Sequence, residues 1–141
     1  MKFICDAPGG KSWFRIETAG EAAVESLVMN HAVEKFFLAE EEKATRRYRP
    51  PETGFVEQEI GLKAYLLRTM PVFLTLRDAV GRPLATAMLP PNGRDSVTFR
   101  PVIVGPANTD PYPQQHGAIE ALGRHFLLAL ERTRCFPYAR D

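Results

Sequence analysis

What this sequence lacks narrows its possibilities first. No stretch approaches the roughly 18 apolar residues in a row that a membrane-spanning helix needs. Asp6 follows Met1–Cys5 too soon for the apolar core of a secretion signal. Cysteine is scarce: Cys5 and Cys135 lie near opposite ends without a C-x-x-C spacing, which argues against a zinc ribbon or a redox pair and fits free thiols in a reducing cytoplasm. Neither charge sign dominates. Lys and Arg number 18 against 17 Asp and Glu, a net charge of +1, and that balance argues against a general nucleic-acid binder. No H-E-x-x-H and no G-x-S-x-G elbow occurs, so neither a zinc protease nor an α/β-hydrolase is indicated. No cofactor is implied.

What remains is ordinary material for a folded core. Hydrophobic residues make up 45% and charged residues 25% of 141, which suits one domain over 1–141. Thirteen of the 18 cations are Arg, a bias that suits pairing with carboxylate or phosphate.

The longest segment without Gly or Pro is Glu21–Arg49, and it reads as one long helix. Thr18 and Glu21 have capping-box spacing at its start, and Pro50-Pro51 ends it. Arg46, Arg47 and Arg49 sit where the helix dipole favours cations. At about 1.5 Å per residue the rod would be roughly 42 Å long, more than the about 37 Å width of a domain this size, so its charged end should reach solvent or a partner. Its apolar residues fall on two sides: Val24, Leu27, Val28, His31, Leu38 and Ala39 on one, Met29, Val33, Phe36 and Phe37 on the other. A helix apolar on two sides is buried on two sides. One side should lie on a sheet, and the other needs a second element or a second subunit; as a homodimer the chain would use Met29, Val33, Phe36 and Phe37.

Around that helix the chain alternates in short runs. Lys2–Asp6 and Ser12–Glu17 read as strands joined by Pro8-Gly9-Gly10. Residues 55–69 fit both periods; the near-unbroken alternation and Gly61 favour a strand over the second half. Val72–Arg77 and Leu84–Leu89 are strands around a turn, Val97–Val104 is another with Pro101 marking an edge or bulge, and a second helix runs from about His116 to Arg134. The expectation is an α+β fold: an antiparallel sheet of about five strands in ββ-α-βββ-α order, with one long and one shorter helix packed on one face.

The chemistry-bearing residues are few. Cys5–Ser12 ends in Gly-Lys-Ser like a phosphate-binding loop, but Cys5 stands where the motif needs Gly, and a strand rather than a helix follows. His31 and Glu34 are one helical turn apart, but two ligands do not make a metal site. The candidate ligand site is the irregular stretch 105–115 with the helix start after it. It gathers Asn108, Asp110, Tyr112 and His116, with Arg15 or Arg77 available for an anionic group. Asp110 with His116 could work as an acid–base pair if the loop folds back; the plain reading is local turn formation.

Three functional readings follow, in this order. The first is a small non-enzymatic cytoplasmic module acting through protein contact as a homodimer. The second is a small-molecule binder or small enzyme with a site at 105–116, taking a small anionic ligand. The third is nucleic-acid binding through Arg46–Arg49, which the near-zero net charge disfavours.

Overall fold

A computed structural model describes residues 1–50, 52 and 54–139. The five strands β1 (Lys2–Ala7), β2 (Lys11–Ile16), β3 (Val72–Arg77), β4 (Pro83–Leu89) and β5 (Val102–Val104) form one antiparallel sheet in sequence order. The α+β class and the five-stranded antiparallel sheet are as the sequence predicts. Pro8-Gly9-Gly10 closes the first hairpin, with φ of 82° at Gly9 and 73° at Gly10, a backbone region that favours glycine.

The helices differ from expectation in three ways. First, the long helix is two: α1 (Ala19–Met29) and α2 (Val33–Arg47). The Thr18–Glu21 capping box is present at its start. At the break Asn30 takes a left-handed conformation (φ 52°), which Asn tolerates better than most residues. Ser26 and His31 then serve the new helix start: the Glu34 amide donates to Ser26 Oγ at 2.8 Å and the Val33 amide to His31 Nδ1 at 3.4 Å. Helices of 11 and 15 residues are about 16 and 22 Å long, so the expected overhang disappears.

Second, residues 55–69 form helix α3 (Phe55–Thr69), not a strand. Its runs of Glu, Gln, Leu, Lys and Ala are good helix formers. Gly61, expected to weaken a helix, stands inside one; a Cβ at this position would stand 2.4 Å from the Tyr48 hydroxyl, so its bareness lets α3 approach the end of α2. The expected loop over 50–54 lies partly outside the described residues.

Third, the helices cover both faces of the sheet rather than one. Helix α4 (Tyr112–Phe126), which starts and ends earlier than the sequence suggests, packs Ala118, Ile119 and Leu122 onto Trp13, Val72, Leu74, Leu76, Ala85, Ala87, Leu89 and Ile103. Trp13 Nε1 donates to the Ala118 carbonyl at 2.8 Å, and Lys11 Nζ to Gln115 Oε1 at 2.8 Å. On the other face Ile16, Phe73 and Met88 meet Ala22, Val33, Phe37, Ala44 and Met70 from the α1–α3 side. Strand alternation explains the division: successive residues of β3 point to opposite faces.

The expected strand 97–104 is limited to β5. Its outer edge is covered by the C-terminal segment, where the Phe136 amide donates to the Pro101 carbonyl at 2.8 Å and Phe136 bridges Val102. Cys5 and Cys135 are free thiols. No described helix is long and apolar enough to cross a membrane.

Candidate functional site

The face under α1–α3 is not uniformly apolar. The residues of β3 and β4 that share a face with Phe73 and Met88 are Thr75, Arg77 and Thr86; Thr75 sits directly opposite Thr86 in the ladder. Above them, α1 inserts Glu25. It lies on the same stripe as Ala22 and Met29 and is fully buried. A buried carboxylate must be paired and hydrogen-bonded to be tolerated, and here it is. Arg77 Nη2 donates to Glu25 Oε1 at 2.9 Å, and Thr86 Oγ1 donates to Glu25 Oε2 at 2.7 Å. The rest of the Arg77 guanidinium is used as well: Nε donates to Thr75 Oγ1 at 3.1 Å and Nη1 to the Gly81 carbonyl at 3.0 Å.

This arrangement fixes the next link. Thr86 has one hydroxyl proton, and the carboxylate beside it accepts only, so that proton points at Glu25. His31 Nε2 lies 2.8 Å from Thr86 Oγ1 and must therefore be the donor. That assigns the tautomer with hydrogen on Nε2 and leaves Nδ1 as the acceptor for the Val33 amide. Burial holds the His31 pKa below its ordinary 6.5, although its own backbone hydrogen bond and the nearby Glu25 pull the other way. A hydroxyl 2.8 Å from an imidazole resembles a nucleophile–base pair, but the proton runs the wrong way for one. The network is a rigid polar floor rather than a catalytic couple.

Beside it lies an open groove of about 610 Å³. The α1–α2 corner supplies one wall through His31, Val33 and Phe36; β4 and β5 supply the floor through Thr86, Met88, Val102 and Val104; Phe136 and Pro137 close one side, and Arg100 and Asn108 complete the rim. This size falls within the about 300–1,000 Å³ typical of small-molecule sites, which are mostly apolar with a few fixed polar groups.

Comparison with family models, curated proteins and solved structures finds no match to this chain.

The residues singled out from sequence fall in several places. Asn108 reaches the groove rim. Asp110 and His116 do not meet. Asp110 Oδ1 accepts from the Tyr112 amide at 3.0 Å and Oδ2 from Arg132 Nε at 2.9 Å, while His116 lies on the exposed side of α4, 3.4 Å from Glu120. Tyr112 donates to the Leu130 carbonyl at 2.8 Å, and burial pushes its pKa up. A wider depression of about 790 Å³ does lie beside His116, between α4 and residues 127–132. Its polar rim is already engaged at the surface: Arg124 pairs with Glu120, Arg132 with Asp110, and His116 Nε2 lies 3.4 Å from Glu120 Oε1. Such exposed pairs are weakly held and present no preorganised group, so the smaller groove is the stronger candidate. Arg77 is not available to a ligand, because its guanidinium is spent on Thr75, Gly81 and Glu25. Arg15 lies away from the groove and donates to the Leu67 carbonyl at 2.7 Å; its Nε is buried without a partner among the described residues.

The expected interface set divides too. Met29, Val33 and Phe37 are buried inside this chain, and Phe36, 53% exposed, lines the groove. Ala22, Glu25, Met29, Val33 and Phe37 recur every three or four residues, and this is the stripe that lies on the sheet. The opposite stripe, Val24, Leu27 and Val28, faces water. Glu25 was legible as a signal: a carboxylate three residues after Ala22 and four before Met29 sits on a buried stripe. Among the described residues, no three His, Cys, Asp or Glu side chains gather as a metal would need.

Proposed function

We propose that this chain binds a small, mostly apolar molecule in the groove between the α1–α2 corner and strands β4–β5. The observation that carries this reading is a fully buried carboxylate, Glu25, paired with the partly buried Arg77 directly behind an open apolar groove. Burying Glu25 against Arg77 gives little net stability compared with apolar residues of the same size, yet the pair holds Thr86 and, through it, His31 in one orientation at the groove floor. Fixed polar groups in an apolar recess are what orient a ligand.

The test uses an environment-sensitive dye, N-phenylnaphthylamine, whose fluorescence rises in apolar surroundings. The full chain should show saturable binding at one site per chain. Phe36→Glu, at a half-exposed wall position, should weaken it about tenfold or more, as expected for placing a charge in an apolar pocket. Leu27→Glu, at an 82% exposed position that does not line the groove, should leave binding unchanged. Equal binding by wild type and Phe36→Glu would remove the groove from consideration.

A second reading, contact with a second copy of the chain, rests on a separate observation. Val24, Leu27 and Val28 of α1 and Phe55, Val56 and Ile60 of α3 all expose large apolar side chains. Clusters of exposed large apolar side chains mark interaction sites. Under this reading the homodimer forms through these residues instead of Met29, Val33 and Phe37. Light scattering at high concentration should then give twice the chain mass, reduced to one chain by Leu27→Glu; a strict monomer throughout would dismiss it.

A further inference from the structure

The groove holds a group whose charge changes near neutrality, and that group also shapes its wall. Among the described residues that line it, all but His31 and Arg100 are apolar or neutral, and arginine keeps its charge at any pH a folded chain meets. His31 is thus the described lining residue that titrates between about pH 5 and 8. It is half-buried, so an occupant of the groove covers what remains open of it.

Two properties of His31 tie the groove to its neutral form. The first is its hydrogen bonding. Nε2 donates to Thr86 Oγ1 at 2.8 Å, while Nδ1 accepts from the Val33 amide at 3.4 Å. An imidazolium carries hydrogen on both nitrogens and accepts at neither. Protonation therefore sets a hydrogen on Nδ1 against the amide hydrogen of Val33, at the start of α2. Val33 and Phe36, one turn on, are groove wall, so the wall loosens where an occupant touches it. The second property is solvation. Water stabilises the charged imidazolium far more than the neutral ring, and an apolar occupant takes that water away.

The charges around His31 do not reverse this. Glu25 of α1 attracts the imidazolium. Its carboxylate is already paired with Arg77 of β3 at 2.9 Å, and the cation offsets that attraction. Glu34 and Lys35 on α2 flank the corner with opposite signs, and Arg100, before β5, lines the groove as a further cation. The described residues of β4 and of the C-terminal segment bring neutral groups to the groove. In the free chain burial already outweighs Glu25 and holds the His31 pKa below 6.5. Cover by a ligand extends the same effect.

Given the groove as a ligand site, we infer that an apolar ligand binds it against neutral His31 and expels the proton from a charged one, so that the site fills at neutral pH and empties in mildly acidic solution. The link is reciprocal: the ligand makes His31 harder to protonate by the same factor that the proton weakens the ligand. A base that is harder to protonate in the complex gives full affinity above its free pKa and loses affinity as pH falls through it.

Titrations of the full chain with N-phenylnaphthylamine at about pH 7.5 and about pH 5 read this link. Dye affinity should be about fivefold weaker at the lower pH, the loss expected when most free chains carry a proton that binding must expel. His31→Gln keeps a donor and an acceptor at the corner and has no proton to lose, so its affinity should be equal at both. The chain has 3 histidines, and His116 and His125 are exposed on α4, outside the groove. Replacing both by Gln leaves His31 as the sole imidazole, and its NMR titration midpoint should fall when the dye saturates the chain. Near-UV circular dichroism at both pH values checks folding.

If folded wild type binds the dye equally at both pH values, or His31→Gln shows the same loss, the proton link is wrong while the groove stands. It is equally wrong if the midpoint of the single imidazole stays in place or rises with dye. If the dye does not bind at about pH 7.5, or binds Phe36→Glu as well as wild type, the groove reading fails first and takes this inference with it.

Discussion

The two faces of the sheet are built from alternate residues of the same strands, yet they are used differently. Under α4, Val72, Leu74, Leu76, Ala85, Ala87 and Leu89 form a continuous apolar surface around the fully buried Trp13, closed by Ile119 and Leu122. Under α1–α3, one residue further along each strand, Phe73 and Met88 are interrupted by Thr75, Arg77 and Thr86, and the cover stops short of β5. A dry apolar face gains stability roughly in proportion to the area it buries. A face with a buried ion pair gains less but fixes side chains in direction. The α4 face therefore holds the sheet together, and the opposite face is free to carry a recess.

The sharpest way to break this comparison is to remove one large contributor from each face and ask what rescues it. Glu25→Ala leaves the partly exposed Arg77 without its carboxylate partner and should cost about 3 kcal/mol in urea unfolding, the lower end for a buried pair. Leu122→Ala on the other face should cost about 2–5 kcal/mol through the cavity it leaves. The two differ in their cure. Replacing Glu25 and Arg77 together by Met should recover most of the first loss, because the pair's Coulombic gain and its desolvation penalty largely cancel. If the double replacement is as unstable as Glu25→Ala, the pair is a net stabiliser and the contrast between the faces is lost.

A smaller effect belongs to Thr86, which bonds both Glu25 and His31. Thr86→Val keeps shape and removes the hydroxyl, leaving a carboxylate oxygen and an imidazole N–H unsatisfied. The expected loss is about 1–3 kcal/mol, accompanied by weaker dye binding as His31 loses its anchor. Unchanged dye affinity in a destabilised chain would separate the network from the groove.

His31 gives the polar face a pH dependence. Burial, the largest influence on it, lowers its folded pKa below 6.5. A base with a depressed folded pKa takes up its proton more readily when unfolded. Its contribution is thus complete above the unfolded value, and stability falls as pH drops from that value through the folded one. Urea midpoints of wild type should decline over that mildly acidic window relative to His31→Gln. Parallel pH curves for the two proteins would show that His31 titrates as it does in the unfolded chain.

How much of this was legible depended on whether the signal was local. The first hairpin was readable because Gly9 and Gly10 supply the positive φ that the turn needs. The Thr18–Glu21 cap and the alternation of Val72–Arg77 were equally local, and all are observed. Residues 55–69 misled because an alternating pattern in a half-exposed helix needs no sheet, and Gly61 answers to Tyr48, thirteen positions earlier in the chain. The groove was hidden for a related reason. Its polar floor joins Glu25, Arg77, Thr86 and His31 across separations such as 52, 61 and 55 residues, and no spacing rule spans those distances. Asn108 alone of the candidate ligand residues reached it, because an irregular loop was its only requirement.

The break at Asn30 lies between these cases and gives the smallest predicted effect. Neither Gly nor Pro marks it, and the side chains that stabilise it, Ser26 and His31, reach only across the corner. Asn30→Ala puts a methyl group where φ is 52° and should cost about 1 kcal/mol, the usual penalty for a left-handed residue other than Gly or Asn. Asn30→Gly should be neutral or slightly stabilising. Because the corner carries His31 and Phe36 into the groove, a chain that met the Ala substitution by straightening α1 into α2 would lose dye binding outright. A chain that merely bears the strain would lose stability and keep its affinity. The second outcome is expected, since straightening would also withdraw Met29, Val33 and Phe37 from the sheet, and burying side chains of that size is worth about 1.5–3 kcal/mol each, well above the strain at one residue.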